Sequence, residues 1–132
     1  MIVNDPAIVA ELTELAARYE TALMTNDLSA LDAMFWQSPH VVRLGIGENL
    51  YGIDSIVAFR AARPGGSPPR QVIRTTIASF GRDMGVINIE FQRIGAVAIG
   101  RQSQSWVRLA EGWRIVAAHV SLMVVPGRNS TT

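Results

Sequence analysis

The sequence predicts an α+β domain, with three N-terminal helices packed on one face of a curved, mainly antiparallel β-sheet. Three observations carry that prediction. From Ile8 to Leu23, apolar residues recur at spacings of three and four. From Gln71 onward they alternate with a period of two, as half-buried strands do. The stretch Ile99 to Met123, IGRQSQSWVRLAEGWRIVAAHVSLM, reads as two long strands joined across Ala110-Glu111-Gly112, with glycine where a positive φ is needed.

Taken in order, Asp5-Pro6 supplies an N-cap and a proline at the first helical position. Ile8, Leu12, Leu15, Tyr19 and Leu23 make one apolar stripe to about Thr25, with Glu11 and Glu14 on the wet side. Asn26-Asp27 caps a short second helix whose apolar side is Leu28, Leu31, Met34 and Phe35. Pro39 closes the next turn, and Val41 to Leu44 is a short strand. Glu48 to Gly52 leads into a third helix, Ile53 to Arg63. Pro64 to Pro69, PGGSPP, is a loop. Strands then follow at Gln71–Phe80, Met84–Ile94, Ala96–Leu109 and Trp113–Val125. A single domain spans residues 1–126, and the tail Gly127 to Thr132 is expected to be disordered.

Composition excludes several chemistries. The chain has 132 residues, enough for one real core, and 48% of them are hydrophobic. It has no cysteine and no lysine, so all 12 basic side chains are arginine. Thiolate catalysis, Schiff-base chemistry and a lysine-bearing phosphate loop are therefore out. A net charge of +1 leaves no electrostatic footprint for nucleic acid. No apolar run reaches the ~18 residues of a membrane span, and the start lacks a secretory signal, so a cytoplasmic protein is expected. His40 and His119 are the only histidines, too few for a zinc site without borrowed carboxylates. No cofactor is expected.

A few residues sit oddly against the apolar pattern. Arg43 lies among Val41, Val42 and Leu44, where an unpaired guanidinium is costly. It requires either a carboxylate, with Glu48 and Glu90 the candidates, or an anionic ligand. Tyr19 lies on the buried stripe of the first helix, its hydroxyl reaching either the surface or an internal cavity. His119 and Ser121 interrupt a strand expected to be apolar on both faces. Each is either satisfied within the core or lines a pocket, as Gln104 and Glu90 also could on the neighbouring strands. Arg60, Arg63, Arg70 and Arg74 surround the proline-glycine loop, as a solvated edge or as a guide for anions.

Long blocks of the chain resemble a known family. They are Phe35-Trp36, Val42-Arg43, Glu48-Asn49-Leu50-Tyr51-Gly52, Phe59 to Arg63, Phe80-Gly81, GRQSQSWVR (Gly100 to Arg108) and GWRIVAAHVSLM (Gly112 to Met123). They resemble the AtzH-like family, which includes the HpxZ proteins of oxalurate catabolism, within the SnoaL-like, nuclear-transport-factor-two-like superfamily of cone-shaped folds. The family pattern tends to have threonine where Ser105 stands.

The resemblance implies a small decarboxylating amidohydrolase acting on a carboxylated urea or ureide in s-triazine or purine catabolism. A tyrosine on the first helix and an arginine on the first strand are implicated there, and Tyr19 and Arg43 match them by element and neighbourhood. Arg43 would then grip a substrate carboxylate, and Tyr19 would donate or shuttle a proton. Glu90, Gln104, His119 and Ser121 are further substrate-binding candidates. The alternative is a non-catalytic accessory of a partner amidase, or a small-anion-binding protein. A sheet with helices on one face and apolar residues on the other predicts a homodimer through the sheet face.

Overall fold

The computed structural model describes residues 1–124. The expected tail from Gly127 and the end of the last strand at Val125 lie outside the described residues. The helices are α1 (Pro6–Met24), α2 (Leu28–Met34) and α3 (Ile53–Ala62). The strands are β1 (Val42–Leu44), β2 (Asn49–Tyr51), β3 (Arg70–Phe80), β4 (Met84–Arg93), β5 (Ile99–Leu109) and β6 (Gly112–Met123). They form one sheet in the order β2-β1-β6-β5-β4-β3, antiparallel throughout except for the parallel β1–β6 pair.

Local chemistry sets the helix starts. Asp5 Oδ1 accepts from the Ala7 N–H at 3.0 Å, and Asp27 Oδ1 accepts from the Ala30 N–H at 3.1 Å, capping α1 and α2. Gly52 precedes α3 at φ 87°, a backbone turn that an L-residue rarely adopts. The core lies between α1, α2, α3 and the concave sheet face. Leu12, Leu31, Phe35, Val41, Ile56, Ile87, Phe91, Trp106 and Ile115 are its fully buried apolar members. Helical spacing places Ile8, Leu12, Tyr19 and Leu23 there as expected, with Ala16 and Ala22 completing the stripe.

Three sequence expectations change. Asn49–Tyr51 is a strand rather than a lead-in to α3, because it completes a tight hairpin with β1. Glu11 is on the wet side, its side chain 42% exposed, but it is not an unpaired surface acid. It accepts from Arg108 Nη1 at 2.9 Å and from Trp113 Nε1 at 3.3 Å, tying α1 to the β5–β6 end of the sheet. The third change comes from a bulge. Ser105 pairs with Ala117 but Trp106 pairs with Ile115, so Val116 is an extra residue on β6. The alternation flips there. Ile115 and Ala118 both face the core, and Ala117 and His119 are exposed on the other face.

That uncovered face is not the apolar surface expected. Thr76, Asn88, Ser103 and His119 form one row across β3, β4, β5 and β6, with Ser103 Oγ and Asn88 Oδ1 2.6 Å apart. Arg74, Glu90, Arg101 and Ser121 form the next. Ala78, Val86, Ser105 and Ala117 form an apolar row beside them.

The Glu11 tie carries a pH signature. The Arg108 hydrogen bonds, then that of Trp113, hold the Glu11 carboxyl below the usual carboxylate value of 4.5. A pKa depressed by folding gives stability that is present above the unfolded value and lost as pH falls through the folded one. Glu11→Gln should lower unfolding free energy at pH 7 by at most about 1 kcal/mol, the usual size for a solvent-screened pair. Urea denaturation should show that difference shrinking as the pH drops below about 4.

Candidate functional site

An internal cavity of about 220 Å³ opens between α1, α3 and the concave sheet face, beside the PGGSPP loop. Its walls carry Tyr19 and Leu23 of α1, Arg43 of β1, Phe59 of α3 with Arg63 at its C-cap, Arg70 of β3, Phe91 and Arg93 of β4, and Gln102 of β5. Ile46 and Glu48 of the β1–β2 turn, Ser67 of the loop and Val120 of β6 complete it.

Periodicity explains how so many guanidinium groups converge. On α3, Ile56 and Arg60 stand four residues apart on the buried face, and Phe59 and Arg63 repeat that spacing toward the cavity. On β3, Arg70 and Val72 share the concave face. Ile73 is then an extra residue, Val72 pairing with Phe91 and Arg74 with Glu90, and this bulge turns Arg74 to the opposite side. On β4, Phe91 and Arg93 are two apart and point the same way. Gly100 faces the Phe91 ring, where a β-carbon would collide with it. The ring in turn carries the Arg70 guanidinium at 4.2 Å from its centroid.

Two of these cations are matched. Arg43 Nη1 lies 3.2 Å from Glu48 Oε1. Arg70 donates in a fork to Glu20, Nη2–Oε1 2.7 Å and Nε–Oε2 3.0 Å, and also to Gln102 Oε1 at 3.1 Å. Arginine has no acceptor, so the Gln102 carboxamide must turn its oxygen to Arg70. Its Nε2 has no partner among the described residues. Arg60, Arg63 and Arg93 have no carboxylate within ion-pair distance among the described residues. The pKa values of Arg63 and Arg93 are lowered, first by burial and then by neighbouring guanidinium groups. The Arg43 and Arg63 guanidinium groups both lie against the Phe59 ring, at 5.7 and 5.8 Å from its centroid.

Tyr19 is 3% exposed, and its hydroxyl accepts from Arg60 Nη2 at 3.0 Å. Burial pushes that hydroxyl up. The fields of Arg60 and Arg43, the Arg60 hydrogen bond and the field of Arg70 together outweigh burial, and its pKa lies below the usual 10.0. Phe35 packs edge-on against the ring, centroids 6.5 Å apart.

Of the sequence candidates, the fold brings Tyr19 and Arg43 to this cavity and leaves four elsewhere. Glu90, His119 and Ser121 lie on the opposite sheet face, Glu90 between Arg74 and Arg101 and too far round the sheet to pair with Arg43. The β6 bulge sets the phase that turns His119 and Ser121 away. Gln104 is fully buried but takes Trp106 Nε1 at 3.0 Å rather than lining the cavity. Sequence reading missed Arg93, Gln102, Glu20 and the Arg60–Tyr19 contact. It grouped Arg60, Arg63 and Arg70 with Arg74, which lies outside. Among the described residues no three histidine, aspartate or glutamate side chains converge to hold a metal ion, and no helix is long and apolar enough to cross a membrane.

Known structures share this fold. A protein of unknown function of the DUF3225 family from Pectobacterium atrosepticum is 52% identical, over 92% of this chain and 95% of that one, with a TM-score of 0.89. A cystatin-like fold protein from Burkholderia xenovorans is 43% identical, over 96% and 99% of the two chains, with a TM-score of 0.90. At 22% identity, a nuclear transport factor 2 (NTF2-like) superfamily protein from Salmonella enterica shares the fold, with a TM-score of 0.76 over 92% and 95% of the chains. No curated protein matches the chain. The AtzH-like family pattern matches residues 1–125, and the chain therefore belongs to the AtzH-like family.

Proposed function

We propose that the cavity binds a small anionic ureide and that the protein cleaves a carbon–nitrogen bond in it, as a decarboxylating amidohydrolase of nitrogen-compound catabolism. The observation that supports this reading is the charge imbalance around Tyr19. Arg63 and Arg93 face the cavity without carboxylate partners among the described residues, next to Arg43 and Arg70. A ligand carboxylate relieves that repulsion through charge-assisted hydrogen bonds. A volume of about 220 Å³ suits a ligand of urea-derivative size rather than a polymer or a large ring system.

The chemistry follows from the donors. Arg43 and Arg63, both packed against the Phe59 ring, grip a carboxylate. In an N-carboxylated urea, cleavage of the nitrogen–carboxylate bond releases CO₂ and leaves the electron pair on nitrogen, which must take a proton. Arg60 donates to Tyr19, so the phenolic proton is free to point at the ligand. Tyr19 supplies it to the nitrogen, and water restores it. No covalent nucleophile is required, because positioning and charge stabilisation act on an already labile bond.

One observation favours a binding role without chemistry. Glu48 and Glu20 are each committed to an arginine, so neither is a free base. A small-anion-binding protein or an accessory of a partner amidase is the second reading. The row of Ala78, Val86 and Ala117 on the uncovered sheet face supports a dimer in either case.

Turnover of freshly prepared 1,3-dicarboxyurea and related N-carboxyureas, followed by CO₂ release, separates the readings. Tyr19→Phe should lower kcat by about 100-fold or more with little change in KM, the scale of a lost general acid. Arg43→Ala should raise KM by about 10- to 100-fold, the scale of a lost charge-assisted contact. Turnover by Tyr19→Phe at the wild-type rate contradicts the amidohydrolase reading. Saturable binding with no turnover by wild type selects the second.

A further inference from the structure

We propose that Arg60, which is not part of the cavity wall, is a positioning residue that sets the direction and the acidity of the Tyr19 hydroxyl from behind. The proposal rests on the reading of Tyr19 as the proton donor. It stands on how Arg60 is buried. The residue is 6% exposed in the last turn of α3, and its guanidinium lies 5.5 Å from the Phe35 ring centroid. Its one side-chain hydrogen bond among the described residues runs from Nη2 to Tyr19 Oη at 3.0 Å. Its Nε has no partner there. Asp32 of α2 lies within its field, yet Asp32 Oδ1 is also unpartnered and makes no ion pair with it. Burying a guanidinium without a carboxylate is costly, and the Tyr19 oxygen is the group placed to answer it.

The direction follows from donor chemistry. A guanidinium can only donate, so Tyr19 Oη accepts from it and spends a lone pair toward α3. The phenolic hydrogen must then leave on another side. No described group accepts it, and the cavity adjoins Tyr19. Arg60 thus fixes the rotor so that the proton faces the ligand. The acidity follows from position. Arg63 faces the cavity from the same helix, Arg43 from β1, Arg70 from β3 and Arg93 from β4. Glu48 offsets Arg43, and Glu20 offsets Arg70. Arg60 is the cation in hydrogen-bond contact with the phenol, and no carboxylate among the described residues pairs with it. An incoming anion neutralises the cavity arginines but not Arg60, which stays in place through turnover.

The chain makes this measurable without a substrate. It contains two tyrosines, Tyr19 and the exposed Tyr51. In Tyr51→Phe protein, tyrosinate absorbance near the ultraviolet edge reports Tyr19 alone. The midpoint should lie below the usual 10.0 despite complete burial. Arg60→Gln, which keeps a hydrogen-bond donor but no charge, should move it to higher pH, and Arg60→Lys should restore most of the shift. With an active substrate, Arg60→Gln should lower kcat and move the alkaline limb of the profile upward while KM stays within about twofold, because Arg60 does not line the cavity. A Tyr19 midpoint at or above 10.0 in the Tyr51→Phe parent, which needs no Arg60 variant to fold, overturns the proposal. So does a midpoint unmoved by Arg60→Gln in folded protein. Failure of the amidohydrolase reading shows separately, as wild-type turnover by Tyr19→Phe.

Discussion

A guanidinium group taken out of water must be answered by something, and the way this fold answers several at once organises the rest of the molecule. Arg43, Arg60, Arg63, Arg70 and Arg93 converge on one region between the helices and the concave sheet. Glu48 and Glu20 answer two of them in direct ion pairs. Aromatic faces carry part of the remainder. Phe59 contacts both Arg43 and Arg63, Phe91 supports Arg70, and Phe35 lies beside Arg60. Rings offer a negative face without introducing a carboxylate that would cancel the field. The arrangement keeps the arginines charged, ordered and incompletely neutralised, the condition in which a small anion gains most by entering.

The architecture serves that arrangement. A continuous core of Leu12, Phe35, Ile56, Ile87, Trp106 and Ile115 fixes the helices on the sheet, so that side chains from α1, α3, β1, β3, β4 and β5 meet at fixed distances. The glycine at 100 admits the Phe91 ring, and the ring positions Arg70. Two β-bulges sort charges between the faces. The one at Ile73 sends Arg74 outward while Arg70 stays inside, and the one at Val116 sends His119 outward while Val120 stays inside. The site is built as much by what these bulges exclude as by what they admit.

Much of this was legible in the sequence, and the remainder failed for identifiable reasons. The helix caps, the apolar stripe of α1 and the long β5–β6 hairpin announced themselves because they depend on neighbours a few residues away. Tyr19 and Arg43 stood out because each breaks an apolar pattern, and both line the cavity. The bulge at Val116 was hidden because the strand is apolar in either phase, so alternation could not reveal a one-residue slip. His119 and Ser121 were misplaced with it. Strand β2 is three residues long and exists only through its pairing with β1. Glu11 read as an unpartnered surface acid because its partner, Arg108, is 97 residues distant, and the Glu20–Arg70 pair, 50 residues apart, gave no local signal. Arg93 gave no local signal, since its neighbours in the cavity come from other strands.

The claim at the centre of this account is that the arginine cavity is an anion receptor, whether or not chemistry follows. Thermal unfolding at constant ionic strength, titrated with oxalurate and small dicarboxylates against chloride, tests it most directly. The account predicts a saturable rise in Tm for wild type, corresponding to about 2.7 kcal/mol at a hundredfold excess over Kd. The rise should vanish in Arg43→Ala and survive in Arg74→Ala, whose arginine lies on the far face of the sheet. No rise beyond chloride, or an equal rise in Arg43→Ala, would contradict it.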